Sequence, residues 1–364
     1  MFEFIKLNRF YSTFLLSITI LIILYSLYYY YFINKNYLND TFDDYEFKLT
    51  DKNHIVEKKI NDGSRHYIKK NVCLDGKTVS LEIYNQRNND ILCNNIIIND
   101  KPIVLLDSKS NVTTVKSMED PRIFNYKNDT YLIFNALYNC RKYNFNSISL
   151  NQKNSINTDA NLYDVESDGK KYSRLMYIYN IFTKKVARLH IKNINFKIEK
   201  NWIPYEWNNN LYFIYCIYPI CVLKLININT GECEIFHGNL HNIETNNVFG
   251  GTNVVKWDSD NLLFFAHTRC PYHSVPVLFN PESLEVKIGR KVIVKNDYYE
   301  NISNNELEIQ FPYNLTVNET TNQYNLSIEM ECEYGQQLHT KSFTISLCKS
   351  VIDELFCRTF WIPT

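Results

Sequence analysis

The sequence predicts an all-β domain preceded by one N-terminal transmembrane helix. Residues 10–34 contain no charged side chain and form the longest apolar run of the chain. After this run, short stretches of β-branched and aromatic residues alternate with Asn, Asp and Gly, which is the pattern of strands and turns. A hairpin-like pattern then recurs along the chain, which favours a β-propeller.

The apolar run is long enough to cross a bilayer, which takes roughly 20 predominantly apolar residues. In lipid the backbone must satisfy its own hydrogen bonds, so the segment should be helical. Tyr28 to Tyr31 follow its most apolar part and suit the membrane interface. A cleaved signal peptide is the alternative, but such peptides have shorter apolar cores and end in small residues. We therefore expect a retained signal anchor.

The predicted organisation is a short tail (1–9), the anchor helix (10–34), a polar stalk (35–53) and a β-propeller domain (54–364). Basic residues flank the anchor evenly, and the large domain follows it. We expect a single-pass type II protein whose domain is lumenal or extracellular, in the Golgi, the endoplasmic reticulum or a viral envelope.

Composition narrows the choice of partners. The chain has 39 basic and 39 acidic residues, so no net positive charge favours nucleic acid. Its ten cysteines include no Cys-x-x-Cys pair, so no metal site is expected, while disulfides and free thiols both remain open. Seven Asn-x-Ser/Thr sequons occur, at Asn39, Asn111, Asn128, Asn301, Asn314, Asn318 and Asn325.

Four segments have the same pattern of an apolar strand, a turn rich in Asn and Asp, and a second apolar strand. Recurrence of this hairpin predicts one hairpin per blade of a propeller, with a β-sandwich as the alternative fold. The four hairpins are residues 121–135, 203–215, 252–266 and 311–328.

Polar clusters lie at or just before the first strand of three hairpins. They are Glu119-Asp120-Pro121-Arg122, Lys200-Asn201-Trp202 and Gly250-Gly251-Thr252. Inner strands of a propeller converge on its axis, so the clusters are expected to meet in one pocket. Carboxylate and amide groups bind sugar hydroxyls, an indole stacks on a sugar face, and Arg and Lys hold phosphate. Each cluster also has a structural interpretation. The first could be a turn with a salt bridge, the second a turn with a core-anchoring Trp, and the third a bulge.

The order of these motifs, ending in Leu-Phe-Phe-Ala-His267, resembles the five-bladed β-propeller carbohydrate enzymes related to mannoside phosphorylases and β-1,2-mannosyltransferases. The resemblance covers roughly residues 115–350. It implies that Asp120 and Arg122 bind the reactive sugar, with Lys200 and Asn201 nearby. It also implies a single displacement at the anomeric carbon, assisted by one acid.

The chain departs from these enzymes at three places. Phe249 and Asn253 stand where a basic residue and a proline flank Gly-Gly-Thr in the family, and Tyr334-Gly335 is not followed by an acid. A catalytically inactive, glycan-binding or envelope protein is therefore the alternative function, and a structural glycoprotein without a small ligand is a third.

We expect a glycosyltransferase or glycoside phosphorylase-like enzyme for mannose-type sugars, with Asp120 as the catalytic residue. Its partners are a carbohydrate substrate and, through residues 10–34, the lipid bilayer. No cofactor is required beyond a sugar phosphate or nucleotide-sugar donor.

Asp258-Ser-Asp260 resembles a metal-binding motif but falls in a predicted turn, and His267 is expected to be a pocket wall or a core histidine. The predicted substrate-binding residues are Glu119, Arg122, Lys200, Asn201, Trp202, Gly250, Gly251, Thr252 and His267.

Overall fold

A computed structural model describes most of the predicted domain. The residues described are 44–48, 58–60, 66–74, 77–85, 92–99, 101–113, 115–139, 164–165, 171–192, 194, 201–240, 248–268, 272–295, 309–318, 320–334 and 337–356. The predicted anchor at 10–34 lies outside them. Among the residues described, no helix has the length and apolar character needed to span a bilayer.

The described residues form strands and one short helix. In chain order these are β1 (Asp44–Lys48), β2 (Lys58–Ile60), β3 (His66–Leu74), β4 (Lys77–Asn85), β5 (Leu92–Ile98), β6 (Lys101–Pro102), β7 (Leu105–Leu106), β8 (Val112–Thr113), β9 (Lys116–Tyr126), β10 (Asp129–Asn139), β11 (Asp164–Val165), β12 (Lys171–Asn180), β13 (Val186–Arg188), β14 (His190–Ile191), β15 (Ile203–Trp207), β16 (Asn210–Cys216), β17 (Cys221–Asn227), β18 (Glu232–His237), β19 (Val248–Gly250), β20 (Val255–Lys256), β21 (Leu262–Thr268), β22 (Ser274–Phe279), β23 (Val286–Ile288), β24 (Lys291–Lys295), β25 (Ile309–Asn318), β26 (Gln323–Tyr334), β27 (Gln337–Cys348) and α1 (Lys349–Leu355).

Neighbouring strands in the chain pair with one another in successive sheets. The larger sheets are built around β3–β6, β9–β13, β15–β18, β19–β24 and β25–β27, and β7 pairs with β8. The early strands β1 and β2 pair with β24 and β27, near the other end of the chain. The fold is therefore all-β and propeller-like, with at least four blades.

All four predicted hairpin pairings are confirmed, because β9 pairs with β10, β15 with β16, β20 with β21, and β25 with β26. Turns of two residues close the first two hairpins, and Lys127, Asn128, Asn208 and Asn209 all have positive φ there. The third hairpin differs from the prediction. Its first strand is interrupted between β19 and β20, each of which pairs separately with β21.

The apolar core lies between sheets. Ile96 and Phe134 belong to a cluster joining the β3–β6 and β9–β13 sheets. Ile133 and Phe213 belong to a cluster joining the second sheet to the β15–β18 sheet. A third cluster joins the last two sheets through residues such as Phe265. The β9–β13 sheet contributes to two of these clusters, so both of its faces are packed against neighbouring sheets.

The chain divides by its internal contacts at Asp44 and Tyr45, and the domain corresponds to the second unit, Tyr45–Thr364. Strand β1 falls inside the segment predicted as a stalk. Tyr45 and Phe47 alternate there with charged residues, which is the pattern of a strand with one apolar face.

Candidate active site

One side chain, Arg122, connects all three polar clusters. Its Nε donates a hydrogen bond to the Gly251 carbonyl at 2.8 Å, and one terminal nitrogen donates to the Gly250 carbonyl at 3.3 Å. The same nitrogen donates to Asn201 Oδ1 at 3.4 Å, while the other donates to the Asp120 carbonyl at 3.4 Å. The clusters, which are far apart in sequence, therefore meet in space.

Arg122 is 2% exposed, so its charge is removed from water. Burial lowers the pKa of Arg122, and the nearby Asp120 carboxylate opposes that shift. Its hydrogen bonds to these protein oxygens tie the three clusters together. Direct binding of a sugar or phosphate by Arg122 stays a prediction.

Asp120 lies at an irregularity in β9. The pairing of β9 with β10 shifts by one residue between Arg122, opposite Ile133, and Glu119, opposite Asn135. Asp120 itself has φ of 49°, a left-handed conformation that Asp tolerates better than most residues. Bulges of this kind re-aim side chains and are common beside active sites. Asp120 and its neighbour Glu119 are both half-buried.

Two residues that sequence reasoning missed support the acidic pair. Fully buried Asn135 donates a hydrogen bond from its amide nitrogen to Asp120 Oδ2 at 3.3 Å. Arg174 donates to Asn135 Oδ1 at 2.9 Å and forms a 3.0 Å ion pair with Glu119. Both are polar residues inside apolar strands, which is the signal that could have identified them. Glu119 is therefore ion-paired with Arg174, and the Asp120 carboxyl group is held by the Asn135 amide.

Asn201 also has a left-handed backbone, with φ of 65°, and its side chain is buried against Arg122. Lys200, predicted to bind phosphate, lies outside the described residues. Asn201 is therefore the member of the second cluster that the structure brings to the shared centre.

The glycines of the third cluster allow close approach of the backbone. A Cβ added at Gly250 would lie 2.2 Å from the Asn201 carbonyl oxygen. A Cβ at Gly251 would lie 2.5 Å from the Phe265 carbonyl oxygen and 2.8 Å from Pro312. Both residues therefore need to be glycine, and Pro312 shows that the fourth hairpin also reaches this centre.

Thr252 lies between β19 and β20, where the first strand of the third hairpin is interrupted, and it remains hydrogen-bonded to β21. Its backbone N–H donates to the Phe265 carbonyl at 2.8 Å, and its hydroxyl accepts from the Phe265 N–H at 2.9 Å. The side chain is fully buried. Thr252 therefore fixes the backbone of the glycine segment, and its contact with a substrate stays a prediction.

Trp202 is 1% exposed and packs between Phe213 and Tyr215, with ring centroids 5.6 Å and 5.4 Å away. The indole therefore packs among core aromatic side chains, and its stacking on a sugar stays a prediction. The residue follows the left-handed Asn201, and its side chain enters the core between the second and third sheets.

His267 is also enclosed, being 2% exposed. Its ring lies 4.6 Å from that of Phe311, 5.7 Å from Phe249 and 5.8 Å from Tyr272, measured between centroids. This corresponds to the core-histidine alternative rather than a direct substrate ligand. Phe249, at the position of the family's basic residue, contributes an aromatic wall to this cluster.

The Asp258–Asp260 segment is a turn. Asp258 Oδ1 accepts backbone hydrogen bonds from Asp260 at 2.9 Å and Asn261 at 2.7 Å. Burial acts to raise the pKa of Asp258, but hydrogen bonds from the Asn261 side chain and from the Asp260 and Asn261 backbone, together with the charge of Lys349, lower it overall. Within the described ranges, no group of three or more His, Cys, Asp or Glu side chains could hold a metal ion.

The backbone carbonyls of Gly250, Gly251 and Asp120 and the side-chain oxygen of Asn201 converge on one buried guanidinium. The carboxyl groups of Asp120 and Glu119 are held beside this assembly by Asn135 and Arg174. A carboxyl group at such a place is suited to proton transfer or to binding hydroxyls.

No family model matches the chain. Beta-mannosyltransferase 3 of Candida albicans (strain SC5314) is 35% identical over 98 residues, which are 25% of this chain and 18% of that protein. The chain thus matches less than a fifth of that relative's length.

Two solved structures are distant neighbours of this fold. An α-L-arabinofuranosidase from Lactobacillus brevis has a TM-score of 0.41 and 11% identity, covering 82% of this chain and 95% of that one. A putative glycosidase from Bacteroides thetaiotaomicron has a TM-score of 0.43 and 9% identity, covering 80% and 92%.

Proposed function

We propose that the protein is a membrane-anchored glycosyltransferase or glycoside phosphorylase-like enzyme acting on mannose-type sugars. The observation that carries this proposal is the Arg122 assembly, which joins Asp120, Asn201 and the two glycines at one centre. A purely structural turn at each cluster would not require the three to share one side chain. We further propose that the five larger sheets are the blades of a five-bladed propeller.

In this proposal Asp120 is the catalytic acid or base. Asn135 orients its carboxyl group, and the left-handed backbone turns it away from the strand. Displacement at an anomeric carbon by phosphate or an acceptor hydroxyl needs one protein carboxyl group to move a proton. We assign this task to Asp120, whose carboxyl group is bound by Asn135, rather than to Glu119, which is ion-paired with Arg174.

Asn201 would bind a sugar hydroxyl through the part of its amide that Arg122 does not use. Lys200 would neutralise the phosphate or nucleotide of the donor, since Arg122 is committed to the protein. The chain is similar over 98 residues to a protein named Beta-mannosyltransferase 3, which supports mannose as the transferred sugar.

A non-catalytic glycan-binding propeller is the second candidate function. Asn253, which stands in place of the family's proline, uses both ends of its amide on the Leu315 backbone, at 2.9 Å and 3.1 Å. Together with aromatic Phe249 this leaves less charge around the glycine segment than the resemblance implies. Such a site would bind a glycan without turning it over.

The experiment is a transfer assay with the full chain in detergent, nucleotide-mannose or mannose-1-phosphate as donor, and a panel of mannosides as acceptors. Asp120→Asn should lower turnover by at least about 100-fold, because general acid–base catalysis contributes about 10²–10⁴-fold. Asp260→Asn, the same change in an exposed turn, should retain full turnover.

The outcomes separate the two functions. Turnover that survives Asp120→Asn would reject the catalytic role. Mannoside binding without turnover by the unaltered chain would favour the glycan-binding propeller.

A further inference from the structure

We propose that Asn111, Asn128 and Asn318 carry N-linked glycans, whereas Asn314 and Asn325 do not. The inference rests on the proposed lumenal or extracellular placement of the domain. It goes beyond the sequence pattern, because all five residues lie in sequons and the structure separates them. Asn39 and Asn301 lie outside the described residues.

The three proposed acceptors are exposed and lie at turns. Asn128 is the second residue of the β9–β10 turn, with φ of 68°. Asn318 ends β25, and its side-chain oxygen accepts backbone hydrogen bonds from Thr320 at 3.1 Å and Thr321 at 3.2 Å. These bonds use the oxygen and so do not consume the nitrogen that receives a glycan.

Asn111 closes the turn between β7 and β8 and is also exposed. Its amide nitrogen donates to Asp107 Oδ2 at 3.2 Å. A glycosylated asparagine keeps one N–H on that nitrogen, so this hydrogen bond is compatible with the modification.

Asn111 and Asn128 lie toward the same end of the domain. Leu106, in β7, donates its backbone N–H to the Lys184 carbonyl at 2.9 Å, in the turn that follows β12. Strand β12 ends at Asn180, opposite Tyr131 beside the β9–β10 turn. A cavity of about 480 Å³ at this end is lined by residues that include Ser108 and Asp129, each close to one acceptor.

This end is away from the candidate active site. Asp120 lies seven residues before Lys127, the first residue of the β9–β10 turn. Seven residues correspond to about 23 Å of extended strand. Asn318 likewise follows Pro312, which contacts the Gly251 segment, by about 20 Å of strand. Glycans at these turns would leave the approach to Asp120 open.

The two excluded sequons lie within the last sheet. Asn314 is 6% exposed and follows an irregularity in the β25–β26 pairing. Asn325 is half-buried in the middle strand β26, between Thr316 on β25 and Ser346 on β27. A bulky glycan at either position would displace neighbouring strands, so correctly folded molecules should lack it.

The modification requires an oligosaccharide linked to a polyprenyl diphosphate as donor. The asparagine nitrogen forms a bond to the anomeric carbon, and the bond from that carbon to the diphosphate oxygen breaks. The amide loses one proton, and the lipid diphosphate departs as the leaving group. No oxidant or reductant is needed.

The test expresses the full chain in a eukaryotic secretory pathway and measures gel mobility before and after treatment with an N-glycan-removing amidase. Thr113→Ala, Thr130→Ala and Thr320→Ala should each remove one glycan, because each destroys one sequon. The matched Thr→Ser variants should keep it, because serine preserves the sequon. Thr316→Ala, which destroys the Asn314 sequon, should not change the number of glycans on the folded protein.

A folded protein that shows no mobility change on amidase treatment would overturn the inference. Loss of a glycan in Thr316→Ala would also overturn it. So would retention of all glycans in Thr113→Ala, Thr130→Ala and Thr320→Ala. Loss of mannosyl transfer in Asp120→Asn tests the enzymatic proposal separately, since that change leaves every sequon intact.

Discussion

Arg122 shows how a single buried residue organises the centre of this domain. Removing a guanidinium from water is costly unless its donors are satisfied. Here oxygens from three segments of the chain accept hydrogen bonds from the guanidinium. Two of these oxygens are the carbonyls of consecutive glycines. The planar, multi-donor shape of Arg suits this arrangement, whereas the ammonium group of Lys presents a single point charge.

We therefore predict that Arg122→Lys lowers the free energy of unfolding by about 3 kcal/mol, because several hydrogen bonds to a buried charge are lost. Thermal or denaturant unfolding of the full chain in detergent measures this. Arg290→Lys, which alters a guanidinium hydrogen-bonded to the Glu354 carbonyl nearer the surface, should cost about 1 kcal/mol or less. Equal losses in both variants would contradict a special role for Arg122.

Residue type and position alone could predict which polar residues matter but not always the direction of their side chains. Asp120 and Asn201 were identified from their clusters, and the structure brings both to the centre. Trp202 was predicted beside them, yet its side chain enters the core. Asn135 and Arg174 were missed because their partners lie on other strands, and cross-strand neighbours are not visible as a local motif.

At the scale of strands and turns, the hairpins were predictable because their signal is local. Asn-rich turns favour the positive φ values observed at Asn208 and Asn209. The break between β19 and β20 was not predictable in the same way. It depends on tertiary contacts, because the glycine segment must pass close to Asn201, Phe265 and Pro312.

The glycine segment gives a prediction at this scale. Gly250→Ala should lower the free energy of unfolding by about 2 kcal/mol or more, because the added Cβ would overlap the Asn201 carbonyl and Ile203. Unfolding experiments on the full chain measure it. Ser259→Ala, in an exposed turn, should change stability by no more than about 0.5 kcal/mol. An unchanged stability in Gly250→Ala would show that the three segments can separate at little cost.

For the whole molecule, the sequence predicted an all-β propeller from recurring hairpins, and the structure is all-β and propeller-like. The pairing of β1 and β2 with late strands was beyond sequence reasoning, because both are short and their partners lie near the other end of the chain. The alternation of Tyr45 and Phe47 with charged residues indicates a strand, but a local pattern does not identify its distant partner.

Attachment to a membrane is a prediction for the complete chain. We expect it to remain in the membrane pellet after alkaline extraction, and a chain lacking residues 1–34 to be released. Replacing Ile20 and Ile23 by Arg should weaken insertion, since a basic residue at the centre of a helix costs about 2.5–3.5 kcal/mol. Replacing the same residues by Leu should leave insertion unchanged. Alkaline release of the unaltered chain would contradict the anchor.

The pairing of β1 with β24 and of β2 with β27 has a consequence for biogenesis. A ribosome makes the two early strands long before it makes their partners, so they must wait while the intervening sheets form. Unpaired edges are prone to association with other chains during that interval. These two pairings can form only after β24 and β27 have been synthesised, so maturation of a new molecule depends on these late strands.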